Sequence, residues 1–453
     1  MPAYDNRRKW SLTPSSSDPA SNDYTQTVMT EQKFAASSSA QAGVAGVFLR
    51  EYSFLYWLLI APAIALLFYQ IARGLGNSWY VLYWVSAVAL IIRQRNFEFP
   101  AAPLIFYAAL LAWGTLSAAL SVDPNAAYGK WAKYALLGSS YFITWWLVRR
   151  IPEFSLERAL KMVGMVGLAS FAFYAVEFLV LSRAPDFQPE IQVHGLVPAC
   201  LSPFTLYLLR QTFTGHRGLA LTVGYLSSLI LLLVSSDSLT EVFALAAALV
   251  AVSFYILPKG RLLRLLLGSL ALLLLALILA FDTTGSVLSR AYHSDENWFE
   301  VLNQLSSYRT YIWHRAITIP PPNQWLGVGP SNVSLYPPVV VEGIVTVRHL
   351  HNLFLDCWYE IGVVGLTLYI LFYAAQIHAM KPGMANRSTL QRGVMYAAVA
   401  GVFVASMLEQ SYVSVHVAMF VPFLFALYSR GPEGRDLQAH ARDVPPKSVA
   451  VGF

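Results

Sequence analysis

The chain has 453 residues, of which 56% are hydrophobic and 12% are charged, and its formal net charge is +6. An average soluble domain has about 25% charged residues, so this composition excludes a water-soluble globular protein and indicates an integral membrane protein. The lysines and arginines lie between apolar runs and form no single patch or stripe. We therefore interpret them as determinants of membrane topology and expect no nucleic acid partner.

The first fifty residues are rich in Ser, Ala, Thr and Gln and contain few large apolar side chains. Such a segment cannot bury enough surface to offset the entropy of ordering it, so residues 1–50 are predicted to be a disordered cytoplasmic tail. No basic region is followed directly by a short apolar core and a cleavage site, which predicts that the first span acts as the insertion signal. Residues 431–453 are predicted to be a second cytoplasmic tail.

About twelve apolar runs have the length, about 20 residues, that crosses about 30 Å of hydrocarbon. They lie near residues 53–72, 77–92, 101–121, 131–148, 160–182, 194–209, 219–235, 239–257, 262–281, 361–380, 393–413 and 414–429. The predicted fold class is therefore an all-α polytopic membrane protein, with transmembrane helices 1–9 in residues 51–281 and helices 10–12 in residues 361–430.

Positive charge predicts the orientation of these spans. With a cytoplasmic N-terminus, the cytoplasmic segments hold 23 of the 31 lysines and arginines, which is the bias expected of a correct topology. Both termini are then cytoplasmic. Residues 282–360, between spans nine and ten, are predicted to form a large, partly helical periplasmic loop.

Arginines are concentrated in this loop, against the positive-inside trend. They are Arg290, Arg309, Arg315 and Arg348. A guanidinium donates two parallel hydrogen bonds to phosphate oxygens and stays protonated, so it suits a diphosphate. Arg309 lies in the aromatic string "YRTYIW", which predicts a helix near the membrane interface that directs this charge at a ligand. Arg315 is expected to be solvated or paired with a loop carboxylate, and for Arg290 both interpretations stay open.

Two histidines precede the tenth predicted span. His349 and His351 alternate with Leu350, so in an extended stretch they share a face, and His351 lies at the outer mouth of a helix. A histidine there can accept a proton from a hydroxyl, although a structural hydrogen bond to the helix end is the alternative. With Asp356 the pair does not match the spacing of a zinc site, so no metal is predicted.

Three strings occur in order along this part of the chain: "RTYIWHRA", "LGVGPSN" and "HNLFLDCWYEIGVVGL". Together they resemble the pattern of the O-antigen ligase and polymerase superfamily of bacterial inner membranes, in detail over residues 306–366. The resemblance implies a GT-C-like, inverting, metal-independent glycosyltransferase without a cofactor. It would move a polysaccharide from undecaprenyl diphosphate to a sugar hydroxyl, on the lipid A-core in ligases and on another carrier-linked glycan in polymerases.

The resemblance also implies roles for single residues. His351 matches the family's histidine before asparagine and is the expected general base, with His349 as the less favoured alternate. Arg309 matches the arginine before the tryptophan element and is the first expected diphosphate ligand, whereas Arg290 and Arg348 are proposed on charge and position alone. Supporting residues are Asn352 and His194, the latter at the mouth of the sixth span.

One family element is missing from this chain. Relatives commonly carry an arginine after serine at the start of a middle span, whereas "SSDSLTEVF" occupies that place here. Lys130, Lys133 or Arg290 are candidate substitutes, although the nearby Asp237 and Glu241 would repel a diphosphate.

A transport function is the alternative to glycosyl transfer. A secondary transporter or lipid flippase fits twelve spans with internal prolines, but the chain has no detectable repeat halves and its unusual charges lie in a loop. An O-antigen ligase is therefore the first prediction, a polymerase the second and a transporter a distant third. The expected partners are the carrier-linked O-antigen donor, the lipid A-core acceptor and membrane lipids.

Overall fold

A computed structural model describes residues 54–68, 70–71, 73–95, 98–151, 154–181, 195–235, 239–256, 309–335, 349–408 and 412–430. These residues form helices and no strands, which confirms the all-α prediction. Both predicted tails, the ninth predicted span and much of the predicted loop lie outside the described residues.

The helices follow the predicted spans closely. They are α1 (Phe54–Phe68), α2 (Arg73–Gln94), α3 (Ala101–Ala119), α4 (Pro124–Gly138), α5 (Ser140–Arg150), α6 (Leu156–Leu181), α7 (Leu196–Thr212), α8 (Gly215–Ser235), α9 (Leu239–Ile256), α10 (Arg309–Thr318), α11 (Leu353–Ala385), α12 (Thr389–Leu408) and α13 (Tyr412–Leu427).

Six of these helices, α2, α3, α6, α8, α11 and α12, are long and apolar enough to cross a membrane. The chain is therefore a multi-pass membrane protein, and the total of about twelve spans stays a prediction. Two boundaries differ from the predicted ones. The fourth run is divided between α4 and α5 at Ser139, and the helix of the tenth run already begins at Leu353.

Most of the buried residues belong to one large core, to which α1, α2, α5, α6, α7, α11, α12 and α13 all contribute. α9 packs along α12, α6 packs along α7, and α3 packs along α11. A small separate core joins α10 to the start of α11. The packing of α3 on α11 and this small core together position the candidate site.

Candidate active site

α10 carries the predicted arginine-tryptophan element. Ile312 and Ala316 are buried, and because they lie four residues apart they form one apolar side of the helix. Trp313 donates a hydrogen bond from Nε1 to the carbonyl oxygen of Leu350, with a length of 3.0 Å. This bond attaches α10 to the segment that carries both histidines.

The two histidines lie side by side at the start of α11. The rings of His349 and His351 have their centroids 4.2 Å apart, so the two side chains share a face, as their alternation predicted. Leu350 between them is fully buried, while both histidines are half-buried. His351 has a φ of 50°, in the left-handed region that residues other than glycine seldom adopt. Such strain persists only where the surroundings fix it, and it is common at functional sites.

Two side chains of α11 fix the backbone of this segment. Asn352 is the N-cap of α11, since its Oδ1 accepts hydrogen bonds from the N–H groups of Phe354 and Leu355 at 3.0 and 3.2 Å. The fully buried Asp356 accepts a hydrogen bond from the N–H of Leu350 at 2.9 Å. Caps of this kind stabilise a helix end by about 1 kcal/mol. Asn352 therefore fixes the start of α11 directly beside His351.

α11 is interrupted at Gly362, where φ is 71° and ψ is −178°. The interruption frees the carbonyl groups of Tyr359, Glu360 and Ile361. They accept hydrogen bonds from Val328 N–H (2.8 Å), Gly329 N–H (2.9 Å) and Trp113 Nε1 (2.9 Å). The "GVGPSN" turn is thus a backbone hydrogen-bonding partner of the broken helix.

A second set of bonds connects α3 and the turn to this break. Val363 donates its N–H to the carbonyl oxygen of Gln324 at 2.8 Å. The hydroxyl of Ser117 on α3 lies 2.7 Å from the carbonyl oxygen of Leu326 and 2.9 Å from that of Glu360. α3, the turn and α11 therefore form one continuous hydrogen-bonded unit.

A charged pair lies directly beneath the turn. Glu360 forms an ion pair through Oε1 with Lys130 of α4, and the same oxygen accepts a hydrogen bond from the N–H of Ser331 at 3.2 Å. The Glu360 side chain is 5% exposed and that of Lys130 is 26% exposed. The charge of Lys130 is therefore balanced within the protein, and it would have to leave Glu360 to bind a diphosphate.

An apolar cavity of about 100 Å³ lies next to this pair, between α3, α4 and α11. Glu360 and Cys357 contribute to its wall, and aromatic side chains form much of the remainder, among them Tyr107, Trp131, Tyr134 and Tyr369. An apolar space beside a polar centre suits a partner that carries both a charged group and a hydrocarbon chain.

The range that contains this geometry matches a known family. Residues 224–370 match the family model described as O-antigen ligase, and this range includes α10, the "GVGPSN" turn, both histidines and the break at Gly362. The chain carries a domain of the O-antigen ligase superfamily. Members are glycosyltransferase-like enzymes of O-antigen and lipopolysaccharide assembly in the bacterial inner membrane. A comparison with curated proteins finds no match.

The predicted site residues divide into two groups. Arg309, His349, His351 and Asn352 are described, and α10 and the histidine segment are joined by the bond from Trp313. The residues Arg290, Arg348 and His194, together with the place of the missing arginine near Ser238, lie outside the described residues.

Three structural features around the histidine segment and the break in α11 were not predicted from the sequence. They are the anchoring bond of Trp313, the carboxylate of Asp356 behind Leu350, and the pair of Glu360 with Lys130. One signal for the carboxylates was available, because Asp356 and Glu360 lie four residues apart at the head of an apolar helix. That spacing puts both on one face, and ionisable residues at such positions are functional candidates.

The ion pair yields a prediction about stability. Lys130→Met leaves Glu360 buried without its counter-charge, so we expect a loss of about 3 kcal/mol, the low end of the range for broken buried pairs because Lys130 is partly exposed. The double variant Lys130→Met/Glu360→Met removes both charges and is expected to recover part of this loss. Thermal unfolding of the purified variants in detergent measures both effects. A single variant as stable as the unmodified protein would show that the pair is not structural.

Proposed function

We propose that the chain is an O-antigen ligase. It transfers O-antigen polysaccharide from undecaprenyl diphosphate to a sugar hydroxyl of the lipid A-core, which completes lipopolysaccharide. In this proposal the chain has about twelve spans, both termini are cytoplasmic, and residues 282–360 face the periplasm, where both glycan partners are available. The O-antigen ligase domain over residues 224–370 supports the proposal most directly.

The transfer requires a base and a counter-charge. The acceptor oxygen attacks the anomeric carbon while the bond from that carbon to the diphosphate oxygen breaks on the opposite face, which inverts the configuration. His351 takes the acceptor's proton on a ring nitrogen, and the carrier leaves as undecaprenyl diphosphate with the bonding electron pair. General bases contribute about 10²- to 10⁴-fold to such steps, and preorganised positive charge stabilises the leaving group.

The contacts of α10 support Arg309 as the diphosphate ligand. Arg309 is a half-buried residue of α10. Trp313 lies four residues further along, on the same side of the helix, and it is bonded to Leu350 between the two histidines. Cation and base are thus carried by two segments in direct contact. Arg290 and Arg348 are further candidate ligands.

The metal-independent mechanism rests on the same residues. The leaving diphosphate is neutralised by arginines, and the base is a histidine, so no step requires a divalent cation. Arg309→Lys keeps the charge but loses the two parallel hydrogen bonds. Since a hydrogen bond to a charged group contributes about 1.5–3 kcal/mol, we expect transfer to fall about 10- to 100-fold. Transfer measured in membranes with EDTA should be unchanged in the unmodified protein, and inhibition by EDTA would contradict the mechanism.

The lipid phenotype of a deletion tests the function itself. Loss of long glycan from lipid A, with polymer still built on its carrier, is the result expected of a ligase. Loss of the polymer itself would assign the chain to the polymerases, which use the same carrier. Electrophoresis of lipopolysaccharide and analysis of carrier-linked glycan from one strain separate the two outcomes.

A further inference from the structure

A cluster of arginines lies at the opposite end of the helix bundle from the candidate active site. α11 begins beside the histidines, and after the break at Gly362 it continues to Ala385, over roughly 35 Å of helix. Contacts of Arg387 and Arg430 connect the ends of α5, α11 and α13 with Phe154, just before α6. We call this group the arginine cluster, and its members are Arg149, Arg150, Arg158, Arg387 and Arg430.

Two members of the arginine cluster hold the helix ends together. Arg430 donates from Nη1 to the carbonyl oxygens of Val148 and Ile151, both at 2.7 Å. A cation bonded to the last carbonyl groups of a helix is a common C-terminal cap. Arg387 donates from Nη2 to the carbonyl oxygen of Arg430 at 2.6 Å. These two side chains have a structural role.

Arg149 and Arg150 lie against tryptophan rings, and Arg149 also donates a long hydrogen bond from Nη1 to Oγ of Ser429 at 3.4 Å. The Arg149 guanidinium lies 3.4 Å from the ring centroid of Trp145, and that of Arg150 lies 5.8 Å from the centroid of Trp146. A polar pocket of about 160 Å³ is lined by Glu98, Trp146 and the two arginines. Within the described part of the chain, neither guanidinium forms an ion pair shorter than 4.0 Å. Two positive charges against one carboxylate leave the pocket with a net positive charge.

We propose that this pocket binds the phosphodiester headgroup of an anionic phospholipid. Each guanidinium can present two parallel N–H donors to phosphate oxygens, and both arginines line this pocket. Tryptophan is enriched at the level of the headgroups, and basic clusters beside membrane spans bind anionic lipids. The positive charge of the pocket and its tryptophan therefore both favour an anionic phospholipid headgroup as the ligand.

The surroundings favour a lipid over soluble phosphate. α2 packs against α5, and it carries the exposed apolar side chains of Val85 and Ile92. Glu98 of the pocket follows the end of α2 by a few residues. Acyl chains can thus lie along an apolar helix while the headgroup occupies the pocket, an arrangement that a free phosphate ion would not use.

Binding of phosphatidylglycerol to the full-length protein in detergent micelles tests the proposal, with native mass spectrometry as the readout. Each arginine near an anionic surface increases the binding affinity by a factor of about five. The double variant Arg149→Gln/Arg150→Gln should therefore bind the lipid about 30-fold more weakly. Arg150→Gln alone should weaken it about fivefold, and Glu98→Gln should strengthen it. Phosphatidylcholine should bind no variant measurably.

Arg217→Gln is the matched control, because Arg217 is exposed at the start of α8 and does not line the pocket. If Arg217→Gln weakens phosphatidylglycerol binding as much as the pocket variants do, the lipid is attracted to any cation on the surface, and the proposal is overturned. Unchanged binding in a double variant with a normal unfolding temperature would overturn it as well. Displacement of the lipid by inorganic phosphate alone would assign the pocket to a soluble anion instead.

Discussion

Replacing His351 with alanine is expected to slow glycosyl transfer by about 10²- to 10⁴-fold, the usual contribution of a general base. The fold should be retained, because the buried side chain of this segment is Leu350, while His351 is only half-buried. The backbone on either side is held by Trp313 and Asp356 through Leu350, and neither bond involves the imidazole. Transfer of carrier-linked glycan to lipid A-core in isolated membranes measures the effect.

The φ of 50° at His351 calls for a second variant. Alanine tolerates the left-handed region poorly, whereas asparagine is enriched there, so His351→Asn removes the base with less added strain. Loss of transfer in both variants, at an unchanged unfolding temperature, separates the missing base from a distorted backbone. His349→Ala is the matched control on the neighbouring ring and should retain more transfer than either. Full activity in His351→Asn would exclude this residue as the base.

Helix positions could be predicted where an apolar run has clear ends. The run near 101–121 corresponds to α3 (Ala101–Ala119), and the run near 219–235 corresponds to α8 (Gly215–Ser235). Within hydrocarbon each segment must satisfy its own backbone, so length and composition suffice to locate it. The shared face of His349 and His351 could also be predicted locally, because residues two apart in an extended segment lie on the same side.

The first two turns of α11 could not be located from the length and composition of an apolar run. Asp356 and Glu360 made its first two turns resemble a polar loop, and the apolar run begins only at Ile361. Asp356 is satisfied locally by the N–H of Leu350, whereas the partner of Glu360, Lys130, lies 230 residues away in the sequence. Such pairing depends on how α3, α4 and α11 pack, which no local pattern encodes.

The break in α11 also limits what a motif can reveal. In the sequence, "GVGPSN" and "EIGVVG" are two separate family elements, whereas in the structure their backbones form hydrogen bonds directly to one another across the break. A turn that lacks helical geometry must bond its peptide groups elsewhere, and here an interrupted helix supplies the acceptors. The order of motifs thus indicated a family, while their joint function as one structural unit required the three-dimensional contacts.

Gly362→Ala is expected to have the second large effect, on both stability and transfer. A Cβ at this position would lie 1.9 Å from the carbonyl oxygen of Trp325, and backbone atoms cannot move aside as a flexible side chain can. The φ of 71° adds strain for any residue with a Cβ. A residue forced into a sparsely populated conformation costs of order 1–3 kcal/mol before the collision is counted.

The loss should extend beyond the glycine, because the bonds of Gln324, Val328 and Gly329 to α11 all depend on the break. Gly224→Ala is the matched control, since its Cβ would meet no atom within 4 Å and alanine favours a helix. The unfolding temperature and the rate of transfer should both fall in Gly362→Ala. Neither should fall in the control. If transfer falls while the unfolding temperature stays constant, the turn has separated locally from α11. The break would then be required for transfer and not for the stability of the fold. Normal values in both assays would mean that α11 can close its helix at this point without loss of function.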